Sequence, residues 1–487
     1  MEKALEINEI RTFIGYFLNV RDLKSCALVN KAWSQSMTPL IWSILHWWDD
    51  SEEIISSQAM AKYGHHVRSI FFHHFSKDPS IFSPCTQVRH IYQANSCTDE
   101  PFDDLALYLV RNNRTSLKTF YDQGSRRRRL SKEALAAIFE CPNLEQLKLG
   151  EVEFTAELYS AFVQACTHLR YLFLTGECTV ANGGSMLQEQ SFPFLEDLSM
   201  IGCSAALAQN ILVHSPNLKG FLYVEQMAPR TQIKAETILS LRHLDRLLLN
   251  FSAEASQNLG AQIISSLPSM KWVHISSFNH PYSCDPLFEP ALRRHYTTLQ
   301  AIVVNDDWTS KQILLVLTSC PTLRAYEGGV LLADEIQQGA PWVCSRLQCL
   351  RVRITRVTHP MEGDCRDAVY HQLARLDQLL LLDLSDLRYL QSSVASEPRL
   401  SLCLGQGLEI LEPLKNLQKI AFEGLRLNLR KEEVEWMIQK WPSLQYMEGD
   451  MCEDLKEHIR LMEYCIDLGI TSGSLLKESP MQYVDAV

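Results

Sequence analysis

Four histidines stand in two adjacent pairs, His65-His66 and His73-His74, and two cysteines, Cys344 and Cys349, stand close together. Imidazole and thiolate are common zinc ligands, so these groups are weighed first. In a strand, adjacent side chains point to opposite faces, so a His-His pair does not share one ion. Cys344 and Cys349 lack the second pair that a four-coordinate site needs. There is no Walker loop, no dinucleotide fingerprint, no His-Glu-x-x-His and no Gly-x-Ser-x-Gly. No metal, cofactor or catalytic residue is expected, and the chain reads as a binding module, not an enzyme.

One charge run stands out. Arg126-Arg127-Arg128-Arg129 follows a Gly-Ser turn and precedes a helix. It could be an anion site for an acidic or phosphorylated partner, a nuclear-import patch, or a solvated loop. Over the whole chain, 46 Lys and Arg face 57 Asp and Glu, a net charge of −11. A field of that sign repels phosphate, so neither nucleic acid nor an anionic membrane is an expected partner. No apolar run reaches the roughly 18 residues of a membrane span. Glu2, Lys3, Glu6, Glu9 and Arg11 interrupt the place where a secretory signal core would lie. The 15 cysteines are dispersed with no Cys-x-x-Cys pair, which suits reduced thiols packed as small hydrophobes. The expected location is cytoplasmic, nuclear or both, and the sequons at Asn113 and Asn250 are expected to be chance.

The elements that would position a binding surface come from a repeat. An apolar residue, two others, an apolar residue, one other and another apolar residue stand clearly in Leu144-Glu145-Gln146-Leu147-Lys148-Leu149. The phrase returns from Leu169, Leu195, Leu244, Met270, Leu299, Leu347, Leu379 and Leu417, with weaker copies from Val67, Val88, Leu117, Leu218, Leu323 and Leu444. The mean spacing is about 27 residues, inside the leucine-rich-repeat range. Between phrases the apolar residues have helical spacing, as at Leu158, Phe162, Val163 and Cys166. A proline often ends the helix, as at Cys141-Pro142, Ser215-Pro216, Leu267-Pro268, Cys320-Pro321 and Trp441-Pro442, because its ring disfavours helix in the residue before it. The fold class is therefore α/β: a leucine-rich-repeat solenoid of about fifteen irregular units with parallel strands on the concave face. A polar insertion, Gln391 to Pro398, interrupts it.

Residues 1–66 differ. Ile10, Ile14 and Leu18 recur every fourth residue, followed by Asp22-Leu23-x-x-Cys26, Leu28-Val29-x-Lys31-x-Trp33 and Pro39-Leu40-x-Trp42. This order predicts three short helices, with Asn8 capping the first and Asp22 the second. Over residues 5–45 it resembles an F-box, with one departure: the family's proline near Ile7 or Asn8 is missing. An F-box followed by leucine-rich repeats resembles the substrate receptors of SCF-type cullin–RING ubiquitin ligases, including large fungal families. With the repeat spacing and the short, polar composition after Ile470, the expected division is an F-box-like domain (1–48), a connector (49–66), the solenoid (67–470) and a flexible tail (471–487). The resemblance implies docking to a Skp-type adaptor, and through it to a cullin–RING core, by Ile10, Ile14, Leu18, Leu23, Cys26, Val29 and Trp33. The alternative is a leucine-rich scaffold whose degenerate F-box has no ligase role.

Counting two, four and six residues on from the start of each phrase gives the open face of the strands. At these positions stand Tyr92, Tyr121, Tyr171, Phe173, Leu222, Arg246, Leu248 and Trp272, with Lys148 beside them. Aromatic and Arg side chains are the usual anchors of protein interfaces, so this face is the expected site for a substrate protein with an apolar patch flanked by acidic residues.

Overall fold

The computed structural model describes residues 7–47, 55–72, 78–93, 103–122, 130–176, 178–180, 191–224, 233, 235–251, 261–277, 288–304, 308–355, 363–385, 400, 402–423, 425, 427–452 and 454–472. The chain forms two compact units, Met1–His243 and Leu244–Val487. Arg126 to Arg129, His73, His74 and the polar insertion lie outside the described residues.

The first unit opens with helices α1 (Asn8–Gly15), α2 (Val20–Ala27) and α3 (Lys31–Ile41). Both expected caps are displaced. Asn19, not Asp22, caps α2: its Oδ1 accepts the Asp22 amide at 2.9 Å, and its Nδ2 donates to the Asp22 carboxylate at 2.8 Å. Asn30 caps α3 by accepting the Trp33 amide at 3.0 Å. Asn8 is already helical, and its Oδ1 turns inward to accept the Ser36 hydroxyl at 2.7 Å. Arg11 Nε donates to the same Ser36 oxygen at 2.9 Å, and both residues are buried. A buried polar group must be bonded to be tolerated, so this chain of bonds fixes how α1 lies on α3. Gly15 allows the close approach: a Cβ there would overlap Leu40 Cδ1 and lie 3.1 Å from Met37 Sδ.

From α3 the chain passes through Trp42 into a strand, β1 (Ile44–Trp47). Seven more strands follow, each parallel to the one before: β2 (Ser69–Phe72), β3 (His90–Gln93), β4 (Thr119–Asp122), β5 (Gln146–Leu149), β6 (Tyr171–Thr175), β7 (Asp197–Ile201) and β8 (Gly220–Val224). The helices α4 (Ser57–Tyr63), α5 (Asp103–Asn112), α6 (Lys132–Phe139), α7 (Ala156–Cys166) and α8 (Ala205–Val213) each join one of these strands to the next, a 3-10 turn (Pro79–Phe82) lies between β2 and β3, and α9 (Ala235–Leu239) follows β8.

The second unit repeats the plan. Its parallel strands are β9 (Arg246–Phe251), β10 (Trp272–Ser277), β11 (Ala301–Val304), β12 (Ala325–Leu332), β13 (Cys349–Thr355), β14 (Leu381–Asp383), β15 (Lys419–Ala421), β16 (Tyr446–Glu448) and β17 (Thr471–Ser472). Its helices include α10 (Phe288–Arg293), α11 (Ser310–Ser319), α12 (Ala333–Gln338), α13 (Gly363–Ala374), α14 (Lys431–Lys440) and α15 (Leu455–Asp467).

The chain is an α/β leucine-rich-repeat solenoid. Each of the fifteen phrases has a strand that begins two residues after its first apolar residue. The phrase residues themselves point inward: Leu144, Leu147 and Leu149 are all buried. Fully burying one such side chain stabilises by about 1.5–3 kcal/mol, and no single unit could do so without its neighbours. The prolines act as expected, since α6, α8, α11 and α14 each end two or three residues before Pro142, Pro216, Pro321 and Pro442. Asn113, first residue of a sequon, is consumed internally. Its Nδ2 donates to the carbonyls of Cys85 and Leu109, both at 2.9 Å, and its Oδ1 accepts the Val88 amide at 2.7 Å.

Candidate functional site

The parallel register places the fifth residue of every phrase of the first unit, four on from its first apolar residue, in one row across the open face. Its members pair as His46↔Phe71, Phe71↔Tyr92, Tyr92↔Tyr121, Tyr121↔Lys148, Lys148↔Phe173, Phe173↔Ser199 and Ser199↔Leu222. Neighbouring strands lie about 4.8 Å apart, close to the stacking distance of aromatic rings. The rings therefore stack along the row. His46 and Phe71 have centroids 4.7 Å apart and planes 11° apart, and Phe71 and Tyr92 are 4.4 Å and 8° apart. Tyr92 meets Tyr121 edge to face at 5.1 Å. Lys148 Nζ sits over the Phe173 ring at 4.5 Å. The row is an aromatic ladder from His46 to Tyr121, extended by the Lys148 ammonium and the Phe173 ring.

Tyr92, Tyr121, Phe173 and Leu222 are half-buried, and Tyr171 is 37% exposed. Tyr121 is oriented by its hydroxyl, which donates to Gln146 Oε1 at 3.0 Å. Burial lowers the affinity of Lys148 for its proton, while the charge of Asp122 opposes that shift. Burial likewise raises the Tyr92 and Tyr121 phenols, so both stay neutral donors at neutral pH. Along the entry to the strands stand Arg68, Arg89 and Lys118, and Lys118 pairs with Glu145 at 2.6 Å. Burial first, and then Arg89 and Lys118, lower His90, so His90 stays neutral near pH 7. The arrangement offers flat apolar area, phenolic hydroxyls and local positive charge on a chain that is acidic overall.

The remaining residues expected on this face behave differently. In the second unit Leu248 and Trp272 are buried, so they do not present a surface, and Arg246 is half-buried with Nε 3.9 Å from Asp245. The row there pairs Leu248↔His274↔Val303↔Glu327↔Arg351↔Asp383. Val303 is buried too, and burial pushes His274 down to about 4. Farther along, Arg351 is held between Glu327 at 3.1 Å and Asp383 at 3.7 Å, which neutralises its charge. Alternation finds the face of a strand but not what covers it.

The three-helix start carries a second surface. Of the residues expected to contact a partner there, Leu23 is buried, and Ile10, Ile14, Leu18, Cys26 and Trp33 are half-buried. Only Val29 is exposed. Instead Phe13 (63% exposed), Tyr16 (72%), Phe17 (75%), Val20 (55%) and Leu28 (87%) stand open, with Phe13 and Phe17 edge to face at 5.1 Å. The signal for them was in the sequence. Phe13, Tyr16, Phe17 and Val20 have helical spacing of their own beside the stripe of Ile10, Ile14 and Leu18, so this stretch is apolar on two faces.

Among the described residues no His, Cys, Asp or Glu cluster suits a metal ion, and no helix is long and apolar enough to cross a membrane. His65 and His66 lie in a tight 3-10 turn (Gly64–His66), not a strand, with ring centroids 3.9 Å apart. Cys344 and Cys349 are separate buried thiols, each pushed up to about 12 by burial.

No family model matches the chain, and no curated protein does. Among solved structures it is similar to an internalin from Listeria monocytogenes at 13% identity, covering 73% of this chain and 92% of that one with a TM-score of 0.36. It is also similar to a chain of the Rad7 and Elc1 complex of yeast at 14% identity, covering 99% of this chain and 94% of that one with a TM-score of 0.41. With identities and TM-scores this low, neither likeness bears on what this chain does.

Proposed function

We propose that the chain is a substrate receptor of an SCF-type cullin–RING ubiquitin ligase, in the cytoplasm or nucleus. The helical start docks to a Skp-type adaptor, and the open face of the first unit holds a substrate protein. The observation that carries this reading is the exposed set Phe13, Tyr16, Phe17, Val20, Leu28 and Val29 on a helical piece whose other faces are packed. So many large apolar side chains on one small element mark a partner surface. They sit on a segment that resembles an F-box in the order of its residues. The aromatic ladder suits a substrate with an apolar segment and acidic neighbours, since rings supply area at low entropic cost and Lys148 supplies charge. In this reading the ligation chemistry belongs to the other subunits.

One observation favours a second reading. α3 leads directly into β1, the first strand of the ladder, and Trp42 stacks on Tyr63 at 5.0 Å. The helices thus also close the end of the sheet, the role that a degenerate F-box on a scaffold protein would keep. Co-purification of the whole chain with a Skp-type adaptor separates the two. Stoichiometric recovery supports the receptor, and no recovery leaves the scaffold.

A further inference from the structure

The last long helix, α15, also has two apolar faces. Leu461 and Cys465 are buried, and His458 Nδ1 accepts the Met451 amide at 3.2 Å, which fixes the inner side. On the adjacent side stand Leu455 (70% exposed), Ile459 (46%), half-buried Met462 and Ile466 (57%). Their spacing of four, three and four is that of a helix-pairing seam. A seam of this kind on an end helix needs an occupant, and the charges beside it say which.

Lys456 and Arg460 flank the first half of the seam, and Glu463 and Asp467 flank the second half on the same side. The start of α15 is itself acidic, as the helix dipole favours, with Asp454 capping it and Glu457 in its first turn pairing with Arg460 at 3.2 Å. The last turn of α15 has no basic residue. The placement of Glu463 and Asp467 toward the end of the helix is therefore not explained by the helix itself. It is explained by an antiparallel copy of the same helix. When Ile459 packs on Met462 of the second copy and Leu455 on Ile466, Lys456 falls beside Glu463 and Asp467 of that copy, and Arg460 beside Glu463. The two-fold axis makes each contact twice.

We infer that the outer face of α15 is a self-association surface on which two copies of this chain pair antiparallel. A single seam of this length buries less than the roughly 1,200 Å² of a standard stable interface, so the pair is weak and concentration-dependent. Self-association of this kind would give two copies of whatever the open face binds, and the effective concentration of the second site would rise accordingly.

Sedimentation velocity on the whole chain, over a hundredfold range of concentration, tests this. The wild type is expected to shift from monomer to dimer. Ile459→Lys with Ile466→Lys should remain monomeric at every concentration with an unchanged melting temperature, since both side chains point outward. Lys456→Glu alone should abolish the dimer, because it sets a new carboxylate against Glu463 and Asp467 of the other copy. Adding Arg460→Glu, Glu463→Lys and Asp467→Lys to that change should restore it. A wild type that stays monomeric throughout overturns the inference, and so does a dimer that ignores the charge reversals.

Discussion

Phe71 and Tyr92 stack with ring centroids 4.4 Å apart and planes only 8° apart, one strand from the next. A parallel ladder in unbroken register repeats one side-chain position at strand spacing, so rings placed there meet, face to face as here or edge to face as at Tyr92 and Tyr121. Each aromatic pair contributes about 0.5–1.5 kcal/mol beyond its buried area. The stack is also pre-organised for a partner, because its rings are already held in place. Tyr121→Ala with Phe173→Ala is expected to weaken substrate capture at least tenfold while leaving adaptor binding unchanged. Quantitative pull-down of ubiquitinated or trapped substrate, compared with adaptor recovery from the same sample, checks it. Normal capture by the double variant would move the binding surface elsewhere.

Asn113 is a structural residue rather than a modification site. Its three hydrogen bonds satisfy the Val88 amide and the Cys85 and Leu109 carbonyls inside the first unit. Removing one partner of a buried bond leaves the other unsatisfied at about 1–3 kcal/mol each. Asn113→Ala is expected to lower stability by roughly 2–4 kcal/mol once relaxation is allowed for. A drop of only a degree or so in the melting temperature of the first unit would contradict it.

The strands were legible because their cause is local. An inward Leu is needed at fixed places, and the chain writes it there fifteen times. β1 carries the same phrase as Trp42, Leu45 and Trp47, but the tryptophans and the preceding helix disguised it. β17 starts after Gly469 and has no apolar first position, so spacing could not reveal it. The row from Phe71 to Phe173 was legible for the same reason as the strands. Covering is not local: Leu248 and Trp272 occupy open-face positions and are still buried, which no period encodes. Spacing around α1 marks Ile10, Ile14 and Leu18 as the partner surface, whereas Phe13 on the helix and Phe17 in the turn after it are the exposed residues. Amphipathic spacing finds a face to bury but does not say inside which molecule.

His274 provides a pH signature for the second unit. Burial pushes it down to about 4 from an unfolded value near 6.5. The unfolded chain therefore takes up a proton at higher pH than the folded one. Stability from this group is complete above about pH 6.5, falls as the pH drops, and levels off below about 4. The full effect is on the order of 3 kcal/mol. His274→Gln, which cannot gain the proton, is expected to flatten the fall of melting temperature between pH 7 and pH 5. Identical slopes for the variant and the wild type would show that His274 titrates normally.

The helical start allows surface and core to be told apart in one experiment. Leu23 is buried, and its truncation to Ala removes packing worth about 2–5 kcal/mol in a piece with little to spare. Trp33 is half-buried. Leu23→Ala with Trp33→Ala is therefore expected to loosen α1 to α3 themselves, and adaptor binding would be lost for that reason alone. Phe17 and Leu28 are the two most exposed large apolar residues of the described chain. Phe17→Ser with Leu28→Ser removes exposed apolar surface and, within the piece, only the Phe13–Phe17 edge contact, so the helices keep most of their hydrogen-exchange protection. This second variant is expected to lose the Skp-type adaptor all the same, since exposed aromatic and Leu side chains act as anchors only when a partner covers them. The decisive pair of measurements is amide protection over residues 8–41 and adaptor recovery. Protection kept and adaptor lost locates the interface on these exposed residues. Protection kept and adaptor retained at wild-type level places the interface elsewhere and removes the observation on which the receptor reading rests.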